Sequence, residues 1–437
     1  MMKDKKILLA GCCCLFTLAA PAQEKRVFSL DECKAMAVEY NVQVKNGQLD
    51  VETARQTRKE AFTKYFPSIS ASGTTYKADD NLIKATLPPI PPLGMETPME
   101  VGVLEQGSMV TVSAMQPVFS GGQIVNSNKL AKVAFEASEL QYDMTKDQVT
   151  LETEEHYWKI VSLKETVKTL DVLDSLLSSL YKDVNLAVET GITTRNDLLT
   201  VRLKQNELNS TRLEVENGLA LSRMALCQFI GLPLDSANYI DVPDFTASIL
   251  APENYRVDHQ AALYGLSGYR LLDKNVEVHQ LKRKIKFGEQ LPSVGVGVSY
   301  AHEDLMDRNR NHVVMMATVS IPITDWWSGH HKVRRSRMEE RKAVNQREDG
   351  AEQLQLKMQQ SWHSLTEAHK QIALAESAIE ESSENVRMQT ANYQAGTSTL
   401  SELLDAQSLF RQSRNRYTDA CITYQTRLTQ YLIDTGQ

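Results

Sequence analysis

Gly191-Ile-Thr-Thr-Arg-Asn-Asp-Leu-Leu199 is repeated in substance 205 residues later as Gly396-Thr-Ser-Thr-Leu-Ser-Glu-Leu-Leu404. The same offset separates Pro117 from Pro322 and Gly231 from Gly436. One offset held over so long a stretch means duplication without net insertion. Each copy also opens alike, with a helix-patterned stretch and then a strand entered through proline. Those entries are Tyr65-Phe-Pro-Ser-Ile-Ser-Ala-Ser-Gly73 and Gln290-Leu-Pro-Ser-Val-Gly-Val-Gly-Val298. A chain of two equal halves is a natural part for a symmetric ring.

Punctuation around the repeats predicts long helices. No proline falls between Pro117 and Pro233, and none follows Pro322. Proline is sterically excluded from helix interiors, so both stretches are free to be helical. Residues 122–190 read as one helix, about 100 Å long at 1.5 Å per residue. Ile160, Leu163, Val167, Leu170, Leu173, Leu177, Leu180, Val184 and Ala187 form its stripe. Val161, Val172, Leu176 and Tyr181 lie off that stripe, so the helix is expected to pack on two neighbours. Glycine then marks a turn, and a returning helix covers about 194–230. Copy two repeats the plan with helices at about 328–394 and 398–435. There Leu403, Phe410, Tyr417, Tyr424 and Tyr431 recur every seven residues, a seam for antiparallel packing.

Ahead of each long helix stands a shorter one, at 30–63 and 255–289, and then two strands. In copy two Val294, Val296, Val298 and Tyr300 alternate with glycine and serine, and Val313, Met315, Ala317 and Val319 alternate with Val314, Met316, Thr318 and Ser320. In copy one Ile69, Ala71, Gly73, Val110, Val112 and Ala114 alternate in the same way. Strands are expected at about 67–76, 108–117, 292–300 and 312–321, each with one apolar and one wet face. Tyr65, Phe66, Phe119, Trp326 and Trp327 flank their helix-side ends, and Tyr76 and Tyr300 lie near the other ends. Paired aromatic rows are what membrane interfaces select. Residues 77–107 form a long insert whose Leu87-Pro-Pro-Ile-Pro-Pro-Leu93 suits neither helix nor central strand. The counterpart, Ala301–Asn311, reads as a short charged loop.

Residues 1–22 read as an export signal: Lys3, Lys5 and Lys6, an apolar run, then Ala20-Pro21-Ala22. A competing reading takes Leu9-Ala10-Gly11-Cys12 as a lipoprotein box. The mature chain then divides into 23–231, a linker at 232–254, and 255–437. It holds no apolar run of about 20 residues, so no membrane-crossing helix is expected. The formal charge of −7 argues against nucleic acid as a partner. The nine histidines are dispersed. His330 and His331 are neighbours that face different ways on a helix, and His363 and His369 are six apart. No nucleophile motif or phosphate loop appears. We therefore expect no enzyme, no metal and no cofactor. Cys33, Cys227 and Cys421 suit buried apolar sites. Four strands cannot close a membrane barrel, whereas three chains would supply twelve.

Several motifs resemble the TolC family of outer-membrane efflux proteins. Phe28-Ser-Leu-Asp-Glu-Cys-Lys-Ala-Met-Ala37 resembles the family's opening, and Leu291-Pro-Ser-Val294 its strand entry. Gln116-Pro-Val-Phe-Ser-Gly-Gly122 resembles the exit into the long helix, with Ile321-Pro-Ile-Thr-Asp-Trp-Trp-Ser-Gly329 as a variant. Tyr393-Gln-Ala-Gly396-Thr-Ser-Thr-Leu-Ser-Glu-Leu-Leu-Asp405 resembles the periplasmic tip turn. The resemblance spans nearly the whole mature chain. It implies a mostly α chain with a membrane β-barrel: a homotrimer whose twelve-strand β-barrel continues into a twelve-helix α-barrel. It implies an exit duct in the Gram-negative outer membrane with a long periplasmic extension. Its partners would be a periplasmic adaptor, an inner-membrane pump and outer-membrane lipid, in an efflux or type I secretion system. By motif position Asp197 and Tyr393 match gate-linking residues, and Glu402 and Asp405 match acidic ring positions; Gly191 and Gly396 are the tip turns. Ser398 stands where some members carry a gate arginine, for which Arg195 is the nearby substitute. The plainer reading of these acids is that they sit at helix starts favoured by the macrodipole. The alternative for the whole chain is a soluble periplasmic coiled-coil adaptor, which would leave the strand pairs and aromatic rows without a role.

Overall fold

A computed structural model of the chain describes residues 26–80, 82–88, 98–103, 105–243, 249–305, 308–323 and 325–437. The export signal, Cys12, most of the proline-rich 87–93 segment and the Trp326 side chain lie outside what it describes. Most of the chain is helical. It divides into two compact units. One comprises Met1–Asn41, Glu152–Ile249 and Lys370–Thr423, the other Val42–Leu151, Leu250–His369 and Tyr424–Gln437. Each unit draws on both repeats, because the long helices leave a unit and their hairpin partners return to it.

In the first unit, Ser29 caps helix α1 (Leu30–Tyr40) through a capping box with Glu32. The continuous helix expected over 30–63 is broken at Asn41, which has extended backbone angles and separates α1 from α2 (Val42–Thr63). The Asn41 amide instead donates to the Phe229 carbonyl at 3.0 Å. That carbonyl is in the last turn of α4 (Arg195–Phe229), where helical partners run out. Strand β1 (Arg26–Val27) pairs in parallel with β6 (Ile240–Asp241), so the 232–254 linker is partly ordered. Lys164 and Arg223 hold Asp241 at 3.4 and 3.1 Å. The core of this unit joins α3 (Gln123–Glu189) to α4 and α8 (Leu400–Thr435): Leu170, Leu173, Leu177, Leu180 and Val184 meet Val201, Leu208, Leu400 and Leu403. Two neighbours for α3 agree with its broad stripe, although Val172 is exposed.

In the second unit a four-stranded antiparallel sheet is ordered β2-β5-β7-β8. These strands are Ser68–Lys77, Gln106–Ser120, Ser293–Leu305 and Arg308–Ser320. Register puts the apolar alternates of both repeats on one face: Ala71 opposes Val112, Val112 opposes Tyr300, and Tyr300 opposes Val313. The other face carries mainly small and hydroxyl residues, with Ser70 opposite Ser113 and Ser113 opposite Ser299, and also Met109, Met115, Val314 and Met316. A bulge between Pro117 and Phe119 pairs Phe119 with Val294. Without the extra residue Phe119 would fall on the wet face, so the bulge re-aims it to the apolar one. Proline suits that place because it has no N–H for the ladder. Tyr76 opposes Gly107 on the wet face, so it does not share a row with Tyr300.

Two loop expectations are corrected. The insert between β2 and β5 contains a two-stranded hairpin, β3 (Ile83–Leu87) with β4 (Met99–Val103). The charged stretch 301–311 is mostly strand rather than loop, since β7 reaches Leu305 and β8 starts at Arg308. Its polar residues pair across the ladder, with Glu303 opposite Arg310 and His302 Nδ1 2.6 Å from Asn311 Oδ1. The helix expected over 255–289 is also split, into α5 (His259–Leu263) and α6 (Ser267–Gly288). Asp258 caps α5 by accepting from the Gln260 N–H, which starts a short separate helix. The last long helix, α7 (Asp325–Gln394), follows β8.

Where β5 turns into α3, two backbones touch. A Cβ on Gly121 would lie 2.2 Å from the Gly288 carbonyl oxygen, and one on Gly288 2.4 Å from that of Gly121. Gly191 by contrast has φ of +75° and nothing within 4 Å of its missing Cβ. Gly121→Ala is expected to cost roughly 3 kcal/mol or more, since backbone must move. Gly191→Ala should cost only about 1 kcal/mol of left-handed strain. Thermal unfolding of the two purified variants distinguishes them, and equal shifts would contradict the contact.

Candidate functional site: the sheet and the helix turns

The exposed sheet is the first candidate. Ile69, Val110, Val298, Val313, Met315 and Val319 are all exposed on one face, and Met315 keeps 83% of its surface. A single chain therefore leaves an apolar sheet face uncovered, with open edges at β2 and β8. In water that combination promotes aggregation. Against lipid the apolar face is satisfied, and only the edges need partners. Tyr65, Phe66, Phe119 and Trp327 are exposed at the helix-side ends of the strands. Phe62 packs edge-on to both Tyr65 and Phe66, with centroids 5.6 Å apart.

The second candidate is the pair of helix turns in the first unit. Both are built alike, atom for atom, at the 205-residue offset. The Ile192 N–H donates to the Ala187 carbonyl at 2.8 Å, and the Thr397 N–H to the Asn392 carbonyl at 2.9 Å. These are six-to-one closures, which need a left-handed residue; Gly191 and Gly396 supply it at φ +75° each. The next helix then starts on threonine. Thr194 caps α4 with Asp197 in return, and Thr399 caps α8 with Glu402 in return. The Thr193 hydroxyl donates to Asp197, and the Ser398 hydroxyl to Glu402 at 2.7 Å.

Hydrogen bonding sets the ionisation of both acids. The Thr193 hydroxyl, then the Thr194 N–H and hydroxyl, hold Asp197 below the ordinary carboxylate range. Ser398, then Thr399, do the same for Glu402. Burial pushes the Tyr393 phenol up, and the charges of Asp197 and Asp183 push it further. Asp197 and Tyr393 are thus electrostatic neighbours. Asp405 lies one turn along α8 from Glu402, exposed in a groove beside Lys204 and Arg411. The four gate candidates differ in role within a chain: two are helix caps, one is a half-buried phenol, and one is a groove acid. Ser398 turns inward to Gln389 and Glu402, at 2.7 Å each, rather than standing free. The capping threonines and Thr193 were overlooked in the sequence, although Thr-x-x-Asp and Thr-x-x-Glu are capping-box signatures.

Other features are plainly structural. Among the described residues no three His, Cys, Asp or Glu side chains converge as metal ligands would, and no helix is long and apolar enough to cross a membrane. Cys33, Cys227 and Cys421 are buried free thiols, and burial pushes the Cys33 thiol up to about 12.

The fold, with its uncovered sheet, is that of outer-membrane channels. Residues 275–431 match the family model described as outer membrane efflux protein. The fold matches that of VceC from Vibrio cholerae at a TM-score of 0.76 and 12% identity, over 93% of this chain and 96% of that one. It matches the CmeC outer membrane channel of Campylobacter jejuni at 0.77 and 13%, over 99% and 94%. The open-state MtrE channel of Neisseria gonorrhoeae matches at 0.71 and 14%, over 93% and 88%. No curated protein matches the sequence. Over residues 275–431 the chain is similar to that family, and over nearly its whole length it has the fold of these channels. Neither comparison points to the soluble adaptor.

The capping acids make a pH prediction. Their folded pKa values are lowered, so their stabilisation is full above the ordinary values of 3.8 and 4.5. It is lost as pH falls below those values through the lowered ones. Amide protection at residues 191–199 and 396–404, corrected for intrinsic exchange, should therefore fall selectively at acid pH. Thr194→Ala or Thr399→Ala should lower it at neutral pH by about 1 kcal/mol. Flat protection in both tests would show that the caps contribute nothing.

Proposed function

We propose that three copies of this chain join edge to edge, β8 of one to β2 of the next, to close a twelve-strand barrel in the outer membrane. The observation that carries this reading is the open four-stranded sheet with an exposed apolar face. Open edges cannot face hydrocarbon, because each unpaired N–H or C=O there costs several kcal/mol. Eight strands are about the minimum for a barrel, so a pair of chains is the smallest closure and three fit the resemblance. The exposed aromatics Tyr65, Phe66, Phe119 and Trp327, with Trp326, mark one membrane interface in this reading. The helices continue the tube into the periplasm as a twelve-helix barrel, built from two efflux repeats at 23–231 and 255–437.

The tip turns at Gly191 and Gly396 then form the periplasmic mouth, and this mouth docks a periplasmic adaptor and an inner-membrane pump of an efflux or type I secretion system. Asp405, threefold repeated, contributes an acidic ring with Glu402, and Tyr393 with Asp197 restrains the closed mouth. What supports the ring is that Asp405 and Glu402 are both exposed; what opposes it is that Glu402 already serves as a cap. Like charges in a narrow mouth repel one another and attract cations.

The purified chain in a planar bilayer should give small, mostly closed events that favour cations. Asp405→Asn combined with Glu402→Gln should lower the cation-to-anion permeability ratio by at least about twofold. An unchanged ratio would sink the acidic ring. No conductance at all, from protein that stays monodisperse without detergent, would sink the barrel.

A further inference from the structure

The helix turns nearest the sheet carry a charge opposite to that of the whole chain. Lys and Arg outnumber Asp and Glu by four to one in residues 55–64 and by two to one in 123–136. They do so by four to two in 277–289 and by six to three in 325–342. These four segments hold a surplus of nine positive charges in a protein whose net charge is −7. They are the end of α2, the start of α3, the end of α6 and the start of α7, the four helix ends joined directly to the sheet strands.

Part of this belt forms a groove. Between α2 and α3 a cleft is lined by Arg55, Arg58 and Lys59 from one side and Lys129 and Lys132 from the other. All five are exposed. Its floor is aromatic: the Arg55 and Arg58 guanidinium carbons lie 5.7 and 5.8 Å from the centre of the Phe135 ring. Asn128 bridges the helices by donating to the Ala61 and Ile124 carbonyls at 2.9 Å each. The lining includes no acid. Arg55 also holds Glu52 at 2.9 Å in an exposed pair of the weak kind, and Lys132 reaches the half-buried Glu136 at 3.6 Å, an acid held more closely by Lys274 at 2.6 Å.

We propose that this belt, and the α2–α3 groove above all, binds the phosphodiester headgroups of anionic phospholipid in the periplasm-facing leaflet. The inference rests on the outer-membrane reading, which sets the exposed aromatic ends of the strands at the membrane interface. Tyr65 lines the groove and belongs to that aromatic row; Arg58 and Lys59 lie about two helical turns, roughly 10 Å, from it, near one Debye length, and the other cations stand a turn or two deeper. Guanidinium pairs fork onto phosphate oxygens, and the aromatic floor takes the glycerol and the start of the acyl chains. A basic surplus next to an apolar sheet is costly unless anions meet it, because like charges crowd one another.

Native mass spectrometry tests this on the full chain purified in detergent, given equal amounts of phosphatidylglycerol and phosphatidylcholine. Phosphatidylglycerol should be retained with an apparent Kd about tenfold lower than that of phosphatidylcholine. Arg55→Gln, Arg58→Gln and Lys132→Gln together should erase the preference. Lys182→Gln, Lys370→Gln and Arg387→Gln, which remove the same charge outside the belt, should leave it intact. Equal retention of the two lipids by the wild type overturns the proposal. So does a preference that survives in the belt variant, or one lost equally in the control variant. Displacement of phosphatidylglycerol by millimolar inorganic phosphate would assign the groove to a free anion instead and also overturns it. Failure of the outer-membrane reading appears separately, as wild-type protein that does not enter vesicles of pure phosphatidylcholine.

Discussion

The constraint on which the rest of this structure depends is that a β-sheet edge cannot face hydrocarbon. Every backbone group in β2, β5, β7 and β8 must find a partner, and within one chain the outward groups of β2 and β8 have none in the sheet. The apolar face deepens the problem, because Ile69, Val110, Val298 and Val313 have no protein core to enter. A soluble protein would cover that face with a helix. Here the helices continue from the strand ends instead and bury their stripes on one another, as Leu170 to Val184 do against α4 and α8. The sheet is left to a different solvent, and its edges to further strands. In the proposed assembly, closure would follow from hydrogen bonding more than from any attraction between particular side chains.

Duplication makes that closure geometrically simple. The two repeats contribute equivalent strand pairs, and their helix turns are built from the same hydrogen bonds at one constant offset. Conservation of this kind within one chain has a physical content. A six-to-one closure demands positive φ, which Gly191 and Gly396 meet, and the following helix demands an acceptor for its free N–H groups, which Thr194 and Thr399 supply. The sequences at the turns differ at most other positions. Both copies keep what backbone geometry requires, together with the leucine pairs Leu198-Leu199 and Leu403-Leu404, of which Leu198, Leu403 and Leu404 pack in the core.

Much of this was legible because it is local. Period-two alternation placed the strands, the absence of proline allowed the long helices, and the glycine spacing exposed the repeat. The breaks were not legible, because their causes are distant. Asn41 ends α1 by serving a carbonyl 188 residues away, and nothing near Asn41 announces that. The charged hairpin 301–311 looked like loop because polar residues lower strand propensity, yet Glu303 and Arg310 support each other across the ladder. The Pro117 bulge likewise shows only in register, although it decides which face Phe119 takes. For the tip residues, motif position brought Asp197 and Glu402 into view, while the capping box they complete was written in the same few residues.

That last point bears on how such a mouth can work. An acid that caps a helix has its charge already engaged by hydroxyl and backbone donors, and those bonds favour its ionised form. Its field still reaches a neighbour, as that of Asp197 reaches Tyr393. Opening the mouth by moving whole helices would therefore carry Asp197 with α4 and Glu402 with α8, each cap intact. The bonds that could change are those between helices: Arg202 to the Tyr181 hydroxyl, Arg212 to Asp171, and the apolar contacts of Val201, Leu208, Leu400 and Leu403 with α3. If the proposed mouth opens by such motion, the energy separating closed from open lies in how helices pack, which a docking partner can alter without touching the caps.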